Sequence, residues 1–440
     1  MIVASSLTFL LKESSFTDSQ VYVLFLLFFA ISLWITEAIP AFAVSLFIIA
    51  YLVYTLGNPN LNSSPEKIDR YVNTFSSSVT WLLLGGFFIA AAMRKAGLDK
   101  ELLRLALKIS GPKPQNILKA LMFTTWVAAM FMSDSATTSM VVAAMTPLLT
   151  SLGRSGISKA LLLGVATAAA VGGMGTIIAN VTNATVVGLL EKEGISISFL
   201  HWMLYGIPVS FILMTISFVV LNRALIKNAG PVSLEFLKVE PASNKGEEKG
   251  HRTIVLVVGA VTVLFWVTGS LHGVPVATIA AIPIVVLTAT RILSAADIRT
   301  LPWDTLFLVT GGLSLGQALQ STGLLDHYAS YLATMQIHPV FFLLILSYVA
   351  MLFANVSSGL ACIMLLVPLG MALLPAYKVE VAISIGLSVT TTVLLPISIP
   401  SNVIVYSTGL LDQRDFRLAG IVVGLLGPLL AVLWVLLLHS

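Results

Sequence analysis

Long runs of apolar residues, separated by short polar stretches, dominate the pattern along this chain. A helix needs roughly 20 apolar residues to cross a bilayer, and most of the runs approach or exceed that length. Stretches such as Ile254 to Gly269 lack the alternation of a transmembrane β-strand. The pattern predicts an all-α polytopic membrane protein. Its apolar runs cover residues 20–38, 40–57, 78–95, 116–150, 157–190, 200–222, 252–270, 274–292, 303–322, 338–376, 379–409 and 417–438.

Two of these runs, 116–150 and 338–376, are about twice as long as a simple span. Each is interrupted near its middle by small or polar residues, Ser133-Asp134-Ser135 in the first and residues 355–359 in the second. A re-entrant helical hairpin, which enters and leaves the membrane on one side, fits this pattern. Two ordinary spans joined by a buried kink are the alternative.

Two further runs contain helix-breaking stretches. Residues 179–183 (Ala-Asn-Val-Thr-Asn) interrupt 157–190, and residues 396–402 (Pro-Ile-Ser-Ile-Pro-Ser-Asn) interrupt 379–409. Such stretches free backbone groups, which the membrane tolerates only where protein or a water-filled cavity satisfies them. We therefore predict two broken transmembrane helices that border a polar cavity.

The chain repeats its landmarks at nearly one interval. Asp134 and Asn355 are 221 positions apart, and Asn183 and Asn402 are 219 apart. A Gly-Gly pair followed by Gly-Leu also recurs, and the order of the landmarks is the same each time. The recurring glycine segments are 85–98 and 311–324, and the predicted parts are a first half 1–222, a cytoplasmic linker 223–251 and a second half 252–440.

Composition and charge agree with a membrane location. Of the 440 residues, 57% are hydrophobic and 10% are charged, well below the charge of a soluble domain. Of the 24 Lys and Arg, 19 fall in loops that can all be cytoplasmic if the first hairpin enters from the cytoplasm and the second from outside. The net charge of +4 is then explained by membrane topology and not by nucleic-acid binding. Because the two hairpins enter from opposite sides in this arrangement, the two halves form an inverted repeat. These loops are 94–119, 151–160, 223–252, 291–302 and 410–417.

Asp134 is the one acidic residue in the middle of a long apolar run. An ionisable group costs at least a few kcal/mol there, so it indicates function. Its carboxylate could bind Na⁺, exchange a proton or pair with a cationic group of a substrate. A neutral aspartic acid that stabilises the hairpin tip is the structural alternative.

Oxygen atoms near the interruptions predict cation sites, because Na⁺ prefers several oxygen ligands. We expect one site at Ser133, Asp134 and Ser135 with the carbonyl of Ala179, and a second at Asn355 with the carbonyl of Ser398. Helix N-termini beginning after residues 135 and 357 would attract an anion. The lone Cys362 and the six scattered histidines give no metal-ligand spacing, so we expect no resident cofactor.

The motifs resemble those of the divalent anion:sodium symporters, solute carrier family 13, within the ion-transporter superfamily. The similarity extends over nearly the whole chain from about residue 20, and its pieces are Trp34 to Pro40, the two glycine segments, residues 97–100 and residues 133–138. The resemblance implies a scaffold and a transport part, elevator-type motion and a homodimer. It also implies Na⁺-driven transport of dicarboxylates, citrate or sulfate.

The chain departs from the family's signatures at the tips. Where the family has Ser-Asn-Thr, this chain has Ser133-Asp134-Ser135 and Ala354-Asn355-Val356. The Pro-Pro-Asn of the broken helices is Val181-Thr182-Asn183 and Pro400-Ser401-Asn402. Val356 lacks a hydroxyl that could contact a carboxylate, and Asp134 adds negative charge beside the expected anion.

The leading hypothesis is a transporter of the inner or plasma membrane that couples a small anion to Na⁺. A proton-coupled carrier or exchanger, or a cation/proton antiporter that titrates Asp134, is the alternative. A membrane enzyme should show clusters of His or acidic residues and a channel a symmetric pore motif, and neither pattern occurs. The predicted substrate-binding residues are Ser133, Asp134, Ser135, Asn183, Asn355, Val356, Pro400 and Asn402, and the predicted Na⁺ ligands are Ser133, Asp134, Ala179, Asn355 and Ser398.

Overall fold

The computed structural model describes residues 1–36, 38–62, 64–226, 230–232, 247–325, 327–328 and 338–439, without the side chains of 99–100 and 247–249. All regular secondary structure in these ranges is helical. The predicted linker lies mostly outside them, as does Glu37.

The α-helices are α1 Ile2–Leu11, α2 Asp18–Thr36, α3 Ala41–Leu56, α4 Asp69–Val72, α5 Ser78–Lys95, α6 Leu98–Ser110, α7 Pro114–Ala129, α8 Asp134–Leu152, α9 Gly156–Gly172, α10 Val181–Lys192, α11 Phe199–Leu221, α12 Glu247–Val267, α13 Gly269–His272, α14 Val276–Ala289, α15 Ala295–Arg299, α16 Trp303–Ser321, α17 Pro339–Val356, α18 Gly359–Leu373, α19 Lys378–Val389, α20 Pro400–Ser407 and α21 Arg417–His439.

The prediction of an all-helical polytopic protein is confirmed. Seven helices in the described ranges are long and apolar enough to cross a membrane, or up to eight if the bent pair Gly359–Leu373 and Pro375–Val389 forms one span. Helix α6 was missed, because its apolar residues alternate with charged ones. Leu103 and Leu107 are buried on one of its faces, at a helical spacing that a search for continuous apolar runs does not detect.

Both long runs form helix–turn–helix hairpins. Hairpin A comprises α7 and α8, which are joined by residues 130–133, and hairpin B comprises α17 and α18, which are joined by residues 357–358. The helices of each hairpin pack against each other. Their insertion from opposite sides of the membrane stays a prediction.

Both predicted breaks are present, although each starts earlier than the sequence indicated. Break A, residues 173–180, separates α9 from α10, and break B, residues 390–399, separates α19 from α20. Residues 181–183 and 400–402 form the first turns of α10 and α20. In break A, helix α9 ends at Gly172, before the residues that mark the break in the sequence are reached.

The helices pack as two groups that share few contacts. The first bundle comprises α2, α3, α5, α12, α14 and α16, and the second bundle comprises α7–α11 and α17–α21. Both hairpins and both breaks belong to the second bundle. Helix α10 is the main bridge, since it packs against α5 and α16 of the first bundle as well as α18 and α19 of its own.

Close helix packing holds break A in place. A Cβ atom on Gly206 of α11 would lie 2.1 Å from the carbonyl oxygen of Met174, so only glycine fits there. The Trp202 indole Nε1 donates to the same oxygen at 3.0 Å. On α21, a Cβ atom on Gly420 would lie 2.6 Å from Cα of Leu394 in break B. The two long helices therefore support the two breaks in the same manner.

Candidate functional site

A cavity of about 950 Å³ lies where the two hairpin tips and the two breaks meet. We call it the central cavity. Its walls combine hydroxyl, amide and carboxylate groups with apolar side chains. They are formed by Trp34, Ile35, Asp134, Ala170, Asn180, Val181, Thr182, Leu308, Ala354, Asn355, Val356, Ser357, Ser358, Gly359, Leu360, Val389, Thr390, Thr392, Ile397, Ser398, Ile399, Pro400, Val403 and Ile404.

Four helices begin at the wall of this cavity. Their first residues are Asp134 of α8, Val181 of α10, Gly359 of α18 and Pro400 of α20. A helix N-terminus carries unpaired N–H groups and roughly half a positive charge. The central cavity therefore has a positive field even though its described wall includes no Lys or Arg.

Side chains cap only two of these four N-termini. Ser133 accepts from the Ala136 N–H at 3.3 Å, and Asn180 accepts from the Thr182 N–H at 3.2 Å. Ser358 and Ile399, which precede α18 and α20, make no side-chain cap. The donors available to an anion are thus the first N–H groups of α18 and the Ser401 N–H of α20, whose first residue, Pro400, has no N–H.

Asp134 is the one charged side chain among the described residues that line the cavity. Its Oδ1 accepts from the Ser135 N–H at 2.7 Å, and it faces the hydroxyl of Ser401 in α20. Ser401 Oγ itself has no hydrogen bond of good geometry. The half-buried carboxylate therefore retains acceptor capacity for a cation or a proton.

Asn355 and Ser398, which the sequence analysis assigned to a second cation site through the Ser398 carbonyl, lie side by side and contact each other through the Ser398 hydroxyl. The Ser398 hydroxyl lies 2.9 Å from Asn355 Oδ1 and 3.2 Å from the Asn355 carbonyl oxygen. Oδ1 also accepts from the Leu394 N–H at 3.3 Å. Asn355, at the tip of hairpin B, therefore links this hairpin to break B by hydrogen bonds.

Asn183 and Asn402 lie behind the cavity wall. Asn183 Nδ2 donates to the carbonyl oxygens of Gly173 and Thr176 at 2.7 and 2.8 Å. Asn402 Nδ2 donates to those of Val393 and Leu395 at 3.2 and 2.8 Å. Both side chains are buried, and each amide donates to two backbone carbonyl groups of its break.

The hairpin tips also contact the breaks of the opposite half. Asp134 of hairpin A faces Ser401, which follows break B. A Cβ atom on Gly359 of hairpin B would lie 3.5 Å from Cγ2 of Thr182, which follows break A. The cavity is therefore assembled from both halves of the chain.

The structure places the predicted residues as follows. Asp134, Asn355, Val356, Ser398 and Pro400 line the central cavity. Ser133, Ser135 and Ala179 are neighbours in sequence of lining residues, while Asn183 and Asn402 are buried braces. The sequence analysis missed Asn180, Thr182, Ser357, Ser358, Thr390 and Thr392, because isolated hydroxyl residues are common in membrane helices.

Interrupted helices that meet at a shared cavity inside a helical membrane protein define a secondary transporter. This protein is a multi-pass transporter and not an enzyme. The chain belongs to the family described as the sodium:sulfate symporter transmembrane region, whose model matches residues 1–439.

Similarity to individual proteins extends over most of the chain. It is 24% identical to the sodium-dependent dicarboxylate transporter SdcS of Staphylococcus saprophyticus, over 96% of this chain and 87% of that protein. It is 29% identical to the inorganic phosphate transporter PHO87 of Saccharomyces cerevisiae, over 67% of this chain and 32% of that protein. The crystal structure of the YdaH transporter of Alcanivorax borkumensis matches with a TM-score of 0.59 and 13% identity, over 91% of this chain and 98% of that one. The last likeness concerns the fold alone.

Proposed function

We propose that this protein couples the movement of a small anion to that of a cation, with Na⁺ as the preferred coupling ion. The observation that carries the proposal is the meeting of four helix N-termini and one carboxylate at the central cavity. The N-termini supply positive field for an anion, and the carboxylate supplies a counter-charge for a cation.

The anion would bind at the uncapped N-termini of α18 and α20. Free N–H groups and helix dipoles recognise carboxylate, sulfate and phosphate groups alike. The names of the similar proteins SdcS and PHO87 support this range of candidates, which are dicarboxylate and phosphate. Citrate and sulfate are further candidates.

The cation would bind at the oxygen atoms around Asp134 and around Asn355. Asp134 has free acceptor capacity next to the unpaired Ser401 hydroxyl, and the Asn355–Ser398 pair groups three oxygen atoms. Oxygen-only surroundings suit a hard cation such as Na⁺. The family description and the name of SdcS also support sodium.

The protein would operate by an elevator-type motion, in which the second bundle carries the cavity past the first. The first bundle would then form the scaffold and the homodimer contact. In the present conformation, polar contacts between described residues at the end of α10 join the bundles. Ser78 Oγ donates to Glu191 Oε1 at 2.6 Å, and Gln320 Nε2 donates to Glu193 Oε1 at 2.6 Å.

Tethering these two bundles is expected to stop transport. Cysteines replace Ser78 and Glu191 in a Cys362→Ala background, and a short bifunctional thiol reagent joins them. Uptake into proteoliposomes should fall to background, because α10 can no longer move relative to α5, and reduction should restore it.

The control for this tether is a pair within the second bundle. Lys378 Nζ lies 2.5 Å from Glu193 Oε2, so cysteines at 193 and 378 can be joined in the same way. That tether should leave uptake intact. Full transport by the protein with 78 and 191 tethered would exclude an elevator motion between these bundles.

The coupling ion is tested by reconstitution. Uptake of labelled succinate, citrate, sulfate and phosphate is measured with a gradient of Na⁺, of K⁺ or of pH. We expect at least one anion to accumulate with Na⁺ and not with K⁺. Equal uptake with both cations, together with acceleration by a pH gradient, would instead support the proton-coupled alternative with Asp134 as the titrating group. No uptake of any anion would refute the proposed function.

A further inference from the structure

We propose that the segment joining the two bundles is an interaction surface for the headgroups of anionic phospholipids. This segment runs from α6 into the first turns of α7, and we call residues 102–119 the link surface. Two independent observations lead to the proposal: an exposed apolar stripe on α6, and unpaired basic side chains beside it. The proposal goes beyond the transported ions and does not depend on them.

Helix α6 carries an apolar stripe that no described part of the chain covers. Leu102, Leu105 and Ile109 are 47%, 53% and 76% exposed, and their spacing of three and four residues places them on one side of the helix. Leu103 and Leu107 pack into the interior from another side. With 13 residues, α6 is too short to cross a bilayer. A short amphipathic helix of a membrane protein lies in the plane of the membrane surface, with its apolar stripe towards the acyl chains.

Basic side chains accompany this stripe without acidic neighbours in the sequence. Residues 102–133 contain four basic residues and no Asp or Glu. Three of the four, Lys108, Lys113 and Lys119, are exposed, and within the part of the chain that the structure describes they form no ion pair. Unpaired cations next to an apolar stripe complement a layer in which anionic phosphate groups lie next to acyl chains.

The start of α7 shows at which depth the link surface lies. Phe123 of α7 is 50% exposed and contacts Trp126, which in turn contacts Phe211 in the middle of the long apolar helix α11. Lys119 lies one turn before Phe123 on the same side of α7, about 6 Å nearer the start of hairpin A. A lysine in this position can extend its apolar stem along the helix and place its ammonium group among the headgroups.

Hydrogen bonds fix both ends of α6. Arg252 of α12 forms an ion pair with Glu101 at 3.1 Å and donates to the carbonyl oxygen of Ala96 at 3.0 Å. The Val232 N–H donates to the carbonyl oxygen of Pro112 at 2.8 Å. Glu101 is therefore already neutralised by Arg252 and does not compete with headgroups for the lysines farther along the chain.

Enrichment of lipid at the link surface tests the proposal. A fluorophore is attached at Ile109→Cys in the Cys362→Ala background, and the full-length protein is reconstituted into phosphatidylcholine vesicles. A small fraction of the lipid carries a nitroxide quencher on its acyl chain, with a phosphatidylglycerol or a phosphatidylcholine headgroup. We expect both lipids to quench the label, because the stripe contacts acyl chains. Phosphatidylglycerol should do so at a concentration about fivefold lower or less, the effect of one lysine near an anionic headgroup.

Two double variants identify the charges responsible. Lys108→Gln with Lys119→Gln should abolish the preference for phosphatidylglycerol and leave quenching by phosphatidylcholine unchanged. Lys12→Gln with Lys67→Gln is the matched control, because it removes two exposed lysines that lie outside the link surface. This control should retain the preference. Thermal melting curves of the purified variants establish that each is folded.

Three outcomes would overturn the proposal. Equal quenching by the two lipids in the protein with all its lysines would mean that these lysines form an ordinary solvated face. Quenching by neither lipid would mean that water, another segment of the chain or a second copy covers the stripe. A preference that persists without Lys108 and Lys119 would mean that other groups select the lipid. None of these results bears on anion transport, which the reconstitution with ion gradients tests separately.

Discussion

Replacing Asp134 by asparagine is expected to reduce cation-driven uptake about 1,000-fold at a fixed, sub-saturating cation concentration. Asparagine preserves the size of the side chain and its ability to accept from the Ser135 N–H, which Asp134 Oδ1 does at 2.7 Å. It removes the negative charge. A unit charge about 4 Å from a cation contributes about 4 kcal/mol at an effective dielectric constant of about 20, and each 1.4 kcal/mol changes affinity about tenfold.

The measurement is the half-saturating Na⁺ concentration for uptake, with pH dependence recorded in parallel. For sodium coupling, the variant should need far more Na⁺ to reach the same rate. For proton coupling, it should lose its response to a pH gradient. Asp18→Asn is the matched control, because Asp18 is an exposed aspartate in the first turn of α2 and lies outside the cavity wall. Wild-type ion dependence in Asp134→Asn would mean that the carboxylate only stabilises the hairpin tip.

Asn402→Ala is expected to destabilise the protein by about 2–5 kcal/mol and to abolish transport. The Asn402 amide is 2% exposed and donates to the carbonyl oxygens of Val393 and Leu395. Alanine leaves the Val393 carbonyl group without a donor, which costs about 1–3 kcal/mol, and leaves the Leu395 carbonyl group with the Ser398 N–H alone, a loss of about 0.5–1.5 kcal/mol more. Break B should then lose its shape, and Ser398 its position beside Asn355.

Thermal unfolding in detergent measures this effect, with an expected drop of the melting temperature by about 2–5 °C. Ser407→Ala on the same helix is the control, since its exposed hydroxyl bonds only within its own turn. Asn183→Ala should behave like Asn402→Ala, because its amide braces break A in the same way. An unchanged melting temperature with lost substrate binding would contradict this structural role. It would support the prediction from the sequence that Asn402 contacts the substrate.

Local sequence was sufficient for the long apolar helices. The predicted runs 78–95, 303–322 and 417–438 correspond to Ser78–Lys95, Trp303–Ser321 and Arg417–His439. A transmembrane helix satisfies its backbone groups within one segment, so its hydropathy can be read without knowledge of its neighbours. The same reasoning located both hairpins, because each turn occurs where the apolar run is interrupted.

The roles of the site residues could not be read in this way. An asparagine next to a helix break has the same chemistry whether its amide binds a ligand or a backbone carbonyl. Asn355 lines the central cavity and Asn402 lies behind it, although both follow the same pattern of sequence signals. Which role applies depends on where the break bends the chain, and that bend is fixed by packing against α11 and α21.

The sequence by itself determined that this is a helical membrane protein with two interrupted pairs of segments, because apolar length and helix-breaking residues are local properties. Only the tertiary structure decided that Asp134 faces Ser401 across the two halves, that four helix N-termini share one cavity, and that Val356 and Ile397 form its apolar side. Asp134 and Ser401 are 267 positions apart, and Val356 and Ile397 belong to different segments, so these juxtapositions result from packing between helices, which no single segment of sequence specifies.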